Sequence, residues 1–294
     1  MRLTDHFKKA VGLWPPKVPY IALRRALSGS GDVSGLPALL RAYPDAVRWE
    51  KKGDMTPLKF ALWQRNYAAA EILIEHDRSV LKDTDKRGMT LLHECAAQRE
   101  LPQVLFLVRQ GADVNLPDAN GETPLHYAAR ARYSGEAAAL LVKYGAETDL
   151  RDRKGRTPLM WALMSGHKDA AEALMKKTYD PRQTDNGGDT LLMAAAQGGL
   201  AHLIAPLVRA GANVHAVSLS GKTALDIALD RRSALVALGL VDAGIPAALE
   251  DKRRKKLGKI IRPLEGSEAA LRSLGLRPSP KKKAAAAQQQ PKPY

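Results

Sequence analysis

A threonine recurs along this chain at Thr56, Thr90, Thr123, Thr157, Thr190 and Thr223, at separations of 34, 33, 34, 33 and 33 residues. Each opens a related segment: MTPLKFA, MTLLHECAA, ETPLHYAA, RTPLMWA, DTLLMAAA and KTALDIA. No other feature restricts the fold as much. A unit this short cannot bury its own apolar face, so successive units must stack into a solenoid.

Each repeated position has a mechanical reason. Gly88, Gly121, Gly155, Gly188 and Gly221 stand two residues before the threonine, where the chain must turn sharply. The threonine hydroxyl can take a free amide at a helix start, and proline after it sacrifices no bond. The next leucine points to the core. Alanine pairs such as Ala128-Ala129 and Ala195-Ala196 let neighbouring helices approach closely. A second helix with Leu140-Leu141 or its equivalents ends at Gly111, Gly145 or Gly211, which are placed as left-handed caps. Aromatics make up only 5% of the chain, so its core is built from Ala, Leu, Val and Met in short, closely packed helices.

Gly121-Glu122-Thr123-Pro124-Leu125-His126, Gly111-Ala112-Asp113-Val114-Asn115 and Gly166-His167 resemble the ankyrin-repeat pattern residue for residue. The resemblance covers about residues 50–245 and extends weakly back to residue 20. It implies an all-α solenoid of about six full repeats behind a degenerate N-terminal capping repeat, with a C-terminal cap around Thr-Ala-Leu-Asp-Ile-Ala. There are departures. Lys59, Met160, Met193 and Asp226 replace the motif histidine, and Asp54 replaces a turn glycine. Thr178-Tyr179-Asp180-Pro181 stands where Gly-Ala is expected, which predicts an altered turn between repeats.

Catalytic chemistry finds no foothold. His93 and His126 occupy the motif position, which the family uses for hydrogen bonds across loops. One repeat separates them, and no carboxylate or thiol recurs at metal-ligand spacing. Cys95, the single cysteine, fills a small-residue position, and a helix points residues 93 and 95 in different directions. The expectation is no enzyme activity, no metal and no cofactor.

The resemblance implies a concave binding surface of turn tips and first-helix faces. By position this assigns Trp63 in the first repeat, with Lys86, Arg87 and Met89 in the second. Arg130 follows from the third repeat and Arg153, Lys154 and Arg156 from the fourth, then Lys222 and Arg231 from the last. Trp63 is an anchor candidate. Trp161, one residue past the motif position, is expected to be partly buried.

The formal charge of +15 is uneven. Residues 251–294 hold 13 basic and 3 acidic residues, whereas residues 51–250 hold 25 and 24. The chain therefore divides into a basic N-terminal arm (1–19), a repeat domain (20–250) and a basic, largely low-complexity tail (251–294). The tail offers Arg253, Arg254, Lys255, Lys256, Lys281, Lys282 and Lys283 to an anionic partner. Within it, SEAALRSLGL reads as a short helix stopped by Gly275. The arm is read as packing on the first repeat; the alternatives are a targeting segment or a membrane-surface contact. No eighteen-residue apolar run is present.

The expected function is a non-catalytic scaffold or adaptor for another protein, with a tail for RNA or another polyanion. The alternative is a basic accessory subunit of a ribosome-like nucleoprotein assembly. Outside such a complex the chain is expected to be monomeric and cytoplasmic, with the mitochondrial matrix as the alternative location.

Overall fold

The computed structural model describes residues 17–29, 32–49, 55–98, 100–132, 135–244, 251–263, 268–273 and 275–276. Among these residues all regular structure is helical, with sixteen α-helices and no strand. Two isolated antiparallel bridges, Thr84 with Thr90 and Thr184 with Thr190, close turns. The chain falls into two compact units, Met1–Tyr179 and Asp180–Tyr294.

The first unit opens with α1 (Lys17–Leu27), α2 (Leu36–Ala42) and a 3₁₀ turn at Pro44–Arg48. Helix pairs follow: α3 (Pro57–Trp63) with α4 (Tyr67–His76), α5 (Leu91–Gln98) with α6 (Leu101–Arg109), α7 (Pro124–Arg130) with α8 (Gly135–Lys143), and α9 (Pro158–Ser165) with α10 (Lys168–Met175). First helices pack on first helices (α5 on α7, α7 on α9), and second on second (α6 on α8, α8 on α10). Leu62, Leu73, Leu92, Leu107, Leu125, Leu141 and Leu163 are almost fully buried between them. The alanines Ala96, Ala128, Ala129 and Ala162 have no exposed surface, which lets these helices approach closely.

The helix starts follow from the threonines. Thr56 and Thr157 accept a hydrogen bond from the amide three residues on, at 3.3 and 3.4 Å. Gly88 shows why its turn excludes a side chain. Its φ is +77°, and a Cβ there would lie 2.8 Å from the Ala119 amide nitrogen of the next turn. That amide donates to the carbonyl of Arg87 (2.9 Å), and the Arg153 amide donates likewise to Asn120 (2.9 Å). Successive turn tips are therefore tied backbone to backbone.

After α10 no left-handed glycine follows: the cap Lys176 is right-handed, as Gln110 and Ala210 are after α6 and α12, but Lys177 stands where Gly111 and Gly211 take a positive φ. The Thr178–Pro181 stretch that departs from the motif contains the boundary between the two units. The second unit holds α11 (Leu191–Gly198) with α12 (Ala201–Arg209), and α13 (Ala224–Asp230) with α14 (Ala234–Asp242).

Two more helices, α15 (Asp251–Ile261) and α16 (Glu268–Ser273), follow in the segment read from sequence as tail. Both pack on α14. Leu257 and Ile261 have no exposed surface, Leu271 has 1%, and Leu276 lies against Gly258. Gly275 has the positive φ of a helix stop, +67°. Residues 1–16 of the arm, and Lys281, Lys282 and Lys283, lie outside the described residues.

Candidate functional site

The turns that carry the basic residues are organised by aspartates that the motif reading passed over. Asp85, Asp118, Asp152 and Asp185 each stand three residues before a turn glycine. Each Oδ1 accepts two backbone amides of its own turn, at 2.8 and 2.9 Å. In the third and fourth repeats the second oxygen takes an aromatic donor nine residues on: Tyr127 Oη to Asp118 (2.8 Å) and Trp161 Nε1 to Asp152 (3.1 Å). Their recurrence at the repeat spacing was the available signal. Burial would raise the Asp152 carboxyl, but the bonds from Arg156 and Trp161 prevail and hold it below its usual range.

The arginines then sort themselves. Arg156 places Nη2 2.7 Å from Asp152 and its guanidinium carbon 3.9 Å from the Trp161 ring centroid. Its side chain is only 11% exposed, so it braces the turn rather than facing outward. Arg130 sits 4.1 Å over Tyr127 and 5.2 Å over Trp161, and pairs with Glu122 at 3.0 Å. Burial pushes the Glu122 carboxyl up, against the pull of Arg130.

The histidines bridge repeats. His93 Nδ1 accepts from the Thr90 amide (3.1 Å), so in the neutral ring Nε2 carries the proton and donates to the Glu122 carbonyl (3.1 Å). His126 does the same between Thr123 and Arg156. Burial lowers both, His126 to about 4. Lys59, in the same motif position, instead reaches Glu94 at 2.7 Å and lies 5.3 Å from the Trp63 ring. Burial pushes the Cys95 thiol up to about 12, which denies it the thiolate of a nucleophile.

Within the first unit these residues border an open groove of about 480 Å³. Its lining includes Lys59 and Trp63 of the first repeat, Arg87, Met89 and Glu94 of the second, and Tyr127 and Arg130 of the third. Met89 is 4% exposed, a floor rather than a rim. Trp63 is 47% exposed, an unusual state for so large an apolar group. Lys86, Arg87, Arg153 and Lys154 are exposed at the turn tips. Lys222 and Arg231, also exposed, belong to the second unit. Of the tail residues, Lys255 and Lys256 are exposed and Arg254 half-buried, while the Arg253 side chain lies outside the described set. Among the described residues no group of His, Cys, Asp and Glu could hold a metal ion.

Comparison with known proteins agrees with this geometry. A family model described as ankyrin repeats, three copies, matches residues 23–118 and 92–185, together more than half of the chain. Rabankyrin-5 is similar at 32% identity in Mus musculus and 30% in Homo sapiens, over 35% and 32% of this chain. The RelA-associated inhibitor of Mus musculus is 42% identical over 19% of the chain. The chain spans less than a tenth of the length of each of these relatives, at 9%, 8% and 7%. Repeat period, helix pairing and histidine bridges coincide with the matched residues, and the chain belongs to the ankyrin-repeat family.

Proposed function

We propose that the chain is a non-catalytic scaffold whose first unit docks a protein partner in the groove around Trp63, the partner offering an acidic segment beside an apolar anchor. Ankyrin repeats are protein-interaction modules, and the reading extends that role to one surface. The observation that carries it is the direction of the charges. Each turn aspartate directs one oxygen onto backbone amides, with Asp152 only 1% exposed in its side chain, while Lys86, Arg153 and Lys154 are exposed and Arg87, paired with Asp85 at 3.4 Å, keeps 67% of its side chain exposed. Glu94 and Glu122 are engaged by Lys59 and Arg130. The turn tips of the unit therefore present exposed cations, and the half-exposed indole in the groove supplies the site for an anchor.

No helix among the described residues is long and apolar enough to cross a membrane. A cytoplasmic monomer fits the reading, with the mitochondrial matrix as the alternative location.

The test places a photo-crosslinking residue at position 63, and in a separate protein at Lys143 on a second helix. Exposed to native extract, the position-63 protein should give discrete adducts that Arg87→Glu abolishes. Equal adducts from both positions, or adducts indifferent to Arg87→Glu, would overturn the groove.

A further inference from the structure

The cations of α15 are part of the folded second unit. Helix α15 reads DKRRKKLGKII, and Leu257, Gly258 and Ile261 turn inward from it. Lys255, Lys256, Lys259 and Arg262 are exposed, with 255, 259 and 262 aligned along one face of about 10 Å. Lys256 crosses to the end of α13, its Nζ 3.1 Å from Asp230 Oδ1, while Lys222 Nζ lies 3.1 Å from Oδ2. Two ammonium groups thus share one carboxylate. Arg231 and Arg232, both exposed, follow it directly in the chain. The neighbourhood keeps a surplus of positive charge on helices held by buried leucine and isoleucine.

We propose that this surface of α13 and α15 binds the phosphate backbone of a nucleic-acid duplex without reading its bases. The inference goes beyond the groove, and it moves the anion-binding role from a low-complexity tail to a folded surface. Two observations select the ligand. A single strand is held by base stacking, yet no Phe, Trp or Tyr occurs between Asp180 and Pro293. A membrane-surface helix needs a free apolar face, whereas that of α15 is consumed in packing. A duplex backbone asks only for cations at fixed positions, and rigid placement reduces the ordering cost of engaging it.

The test uses the full chain and fluorescein-labelled 20-base-pair RNA and DNA duplexes of mixed sequence, with fluorescence anisotropy read at several salt concentrations. Both duplexes should bind within a few-fold of each other. With about five phosphates engaged, the logarithmic salt slope should be about −4.5. Lys255→Glu/Lys259→Glu should weaken binding more than tenfold and flatten the slope by about 2, at an unchanged melting temperature. Lys255→Gln/Lys259→Gln should do half of this, and a chain ending at Leu276 should still bind and still respond to these substitutions. Arg87→Glu in the groove should leave duplex binding intact, which separates this proposal from the groove reading. Loss of binding on truncation at Leu276 would overturn the folded surface. So would tighter binding of phosphatidylserine vesicles or polyglutamate than of duplex at equal salt, or no duplex binding at low salt.

Discussion

His126 Nε2 lies 3.1 Å from the carbonyl oxygen of Arg156, thirty residues ahead, while its Nδ1 receives the amide of Thr123 at 3.0 Å. One imidazole thus caps its own helix and fastens the turn of the following repeat. The Nδ1 bond requires the neutral ring, whereas Nε2–H would donate from an imidazolium as well; that accepting bond and the burial of the ring tie stability to pH. An unfolded histidine titrates near 6.5 and His126 in the fold near 4, so between these values the unfolded chain takes up a proton that the fold refuses. Stability is therefore complete above 6.5 and falls as pH drops toward 4, by up to about 3 kcal/mol for this residue. His93 acts in the same direction. Denaturant titrations across this range should show the slope, and His93→Gln/His126→Gln should flatten it whatever its baseline stability.

Leu125 has no exposed surface where α7 meets α5 and α9. Leu125→Ala should cost about 2–5 kcal/mol, since repeats on both sides lose contact with the removed side chain. Urea melts followed by circular dichroism measure it. A cost below about 0.5 kcal/mol would show that the packing assigned to this helix is wrong.

Gly88→Ala should destabilise by roughly 2 kcal/mol or more. The substitution forces φ of +77° on a residue with a side chain and drives its Cβ against the Ala119 amide. Hydrogen exchange at Ala119 should quicken before that of the core helices, because its bond to Arg87 is the first one disturbed.

Cys95 should resist iodoacetamide in the native protein and react promptly in denaturant. It is 3% exposed and its thiol is pushed up to about 12. Rapid native alkylation would require an opening of α5 that the packing does not provide.

Removing residues 251–294 should lower the melting temperature by several degrees, whereas removing only 277–294 should leave it unchanged. Composition reads the whole segment as a basic, largely low-complexity tail, but Leu257, Ile261 and Leu271 are buried within the second unit. Differential scanning fluorimetry of the two truncations distinguishes these cases.

The repeat period and its motifs were sufficient for the helix pairs, the threonine caps, the left-handed glycines and the buried alanines. These features are local or recur at a fixed spacing, so one unit's chemistry dictates its neighbour's. The short helix before Gly275 was legible for the same reason. What each charged residue does was not. Arg156 and Arg87 both follow a turn aspartate, four and two residues on, yet Arg156 is clasped by Asp152 and Trp161 while Arg87 reaches Asp85 at 3.4 Å and stays exposed; an aromatic donor stands nine residues after Asp152, where Glu94 stands nine after Asp85. Met89 likewise became floor because the turns close over it. The anchoring of α15 was equally hidden. A stretch of lysines and arginines with three large apolar residues in eleven reads as solvated tail until α14 supplies a surface for Leu257 and Ile261 to cover. Sequence determines repetition and local geometry. Which side of each polar residue meets water depends on what the neighbouring repeat presents, and only the tertiary structure decides that.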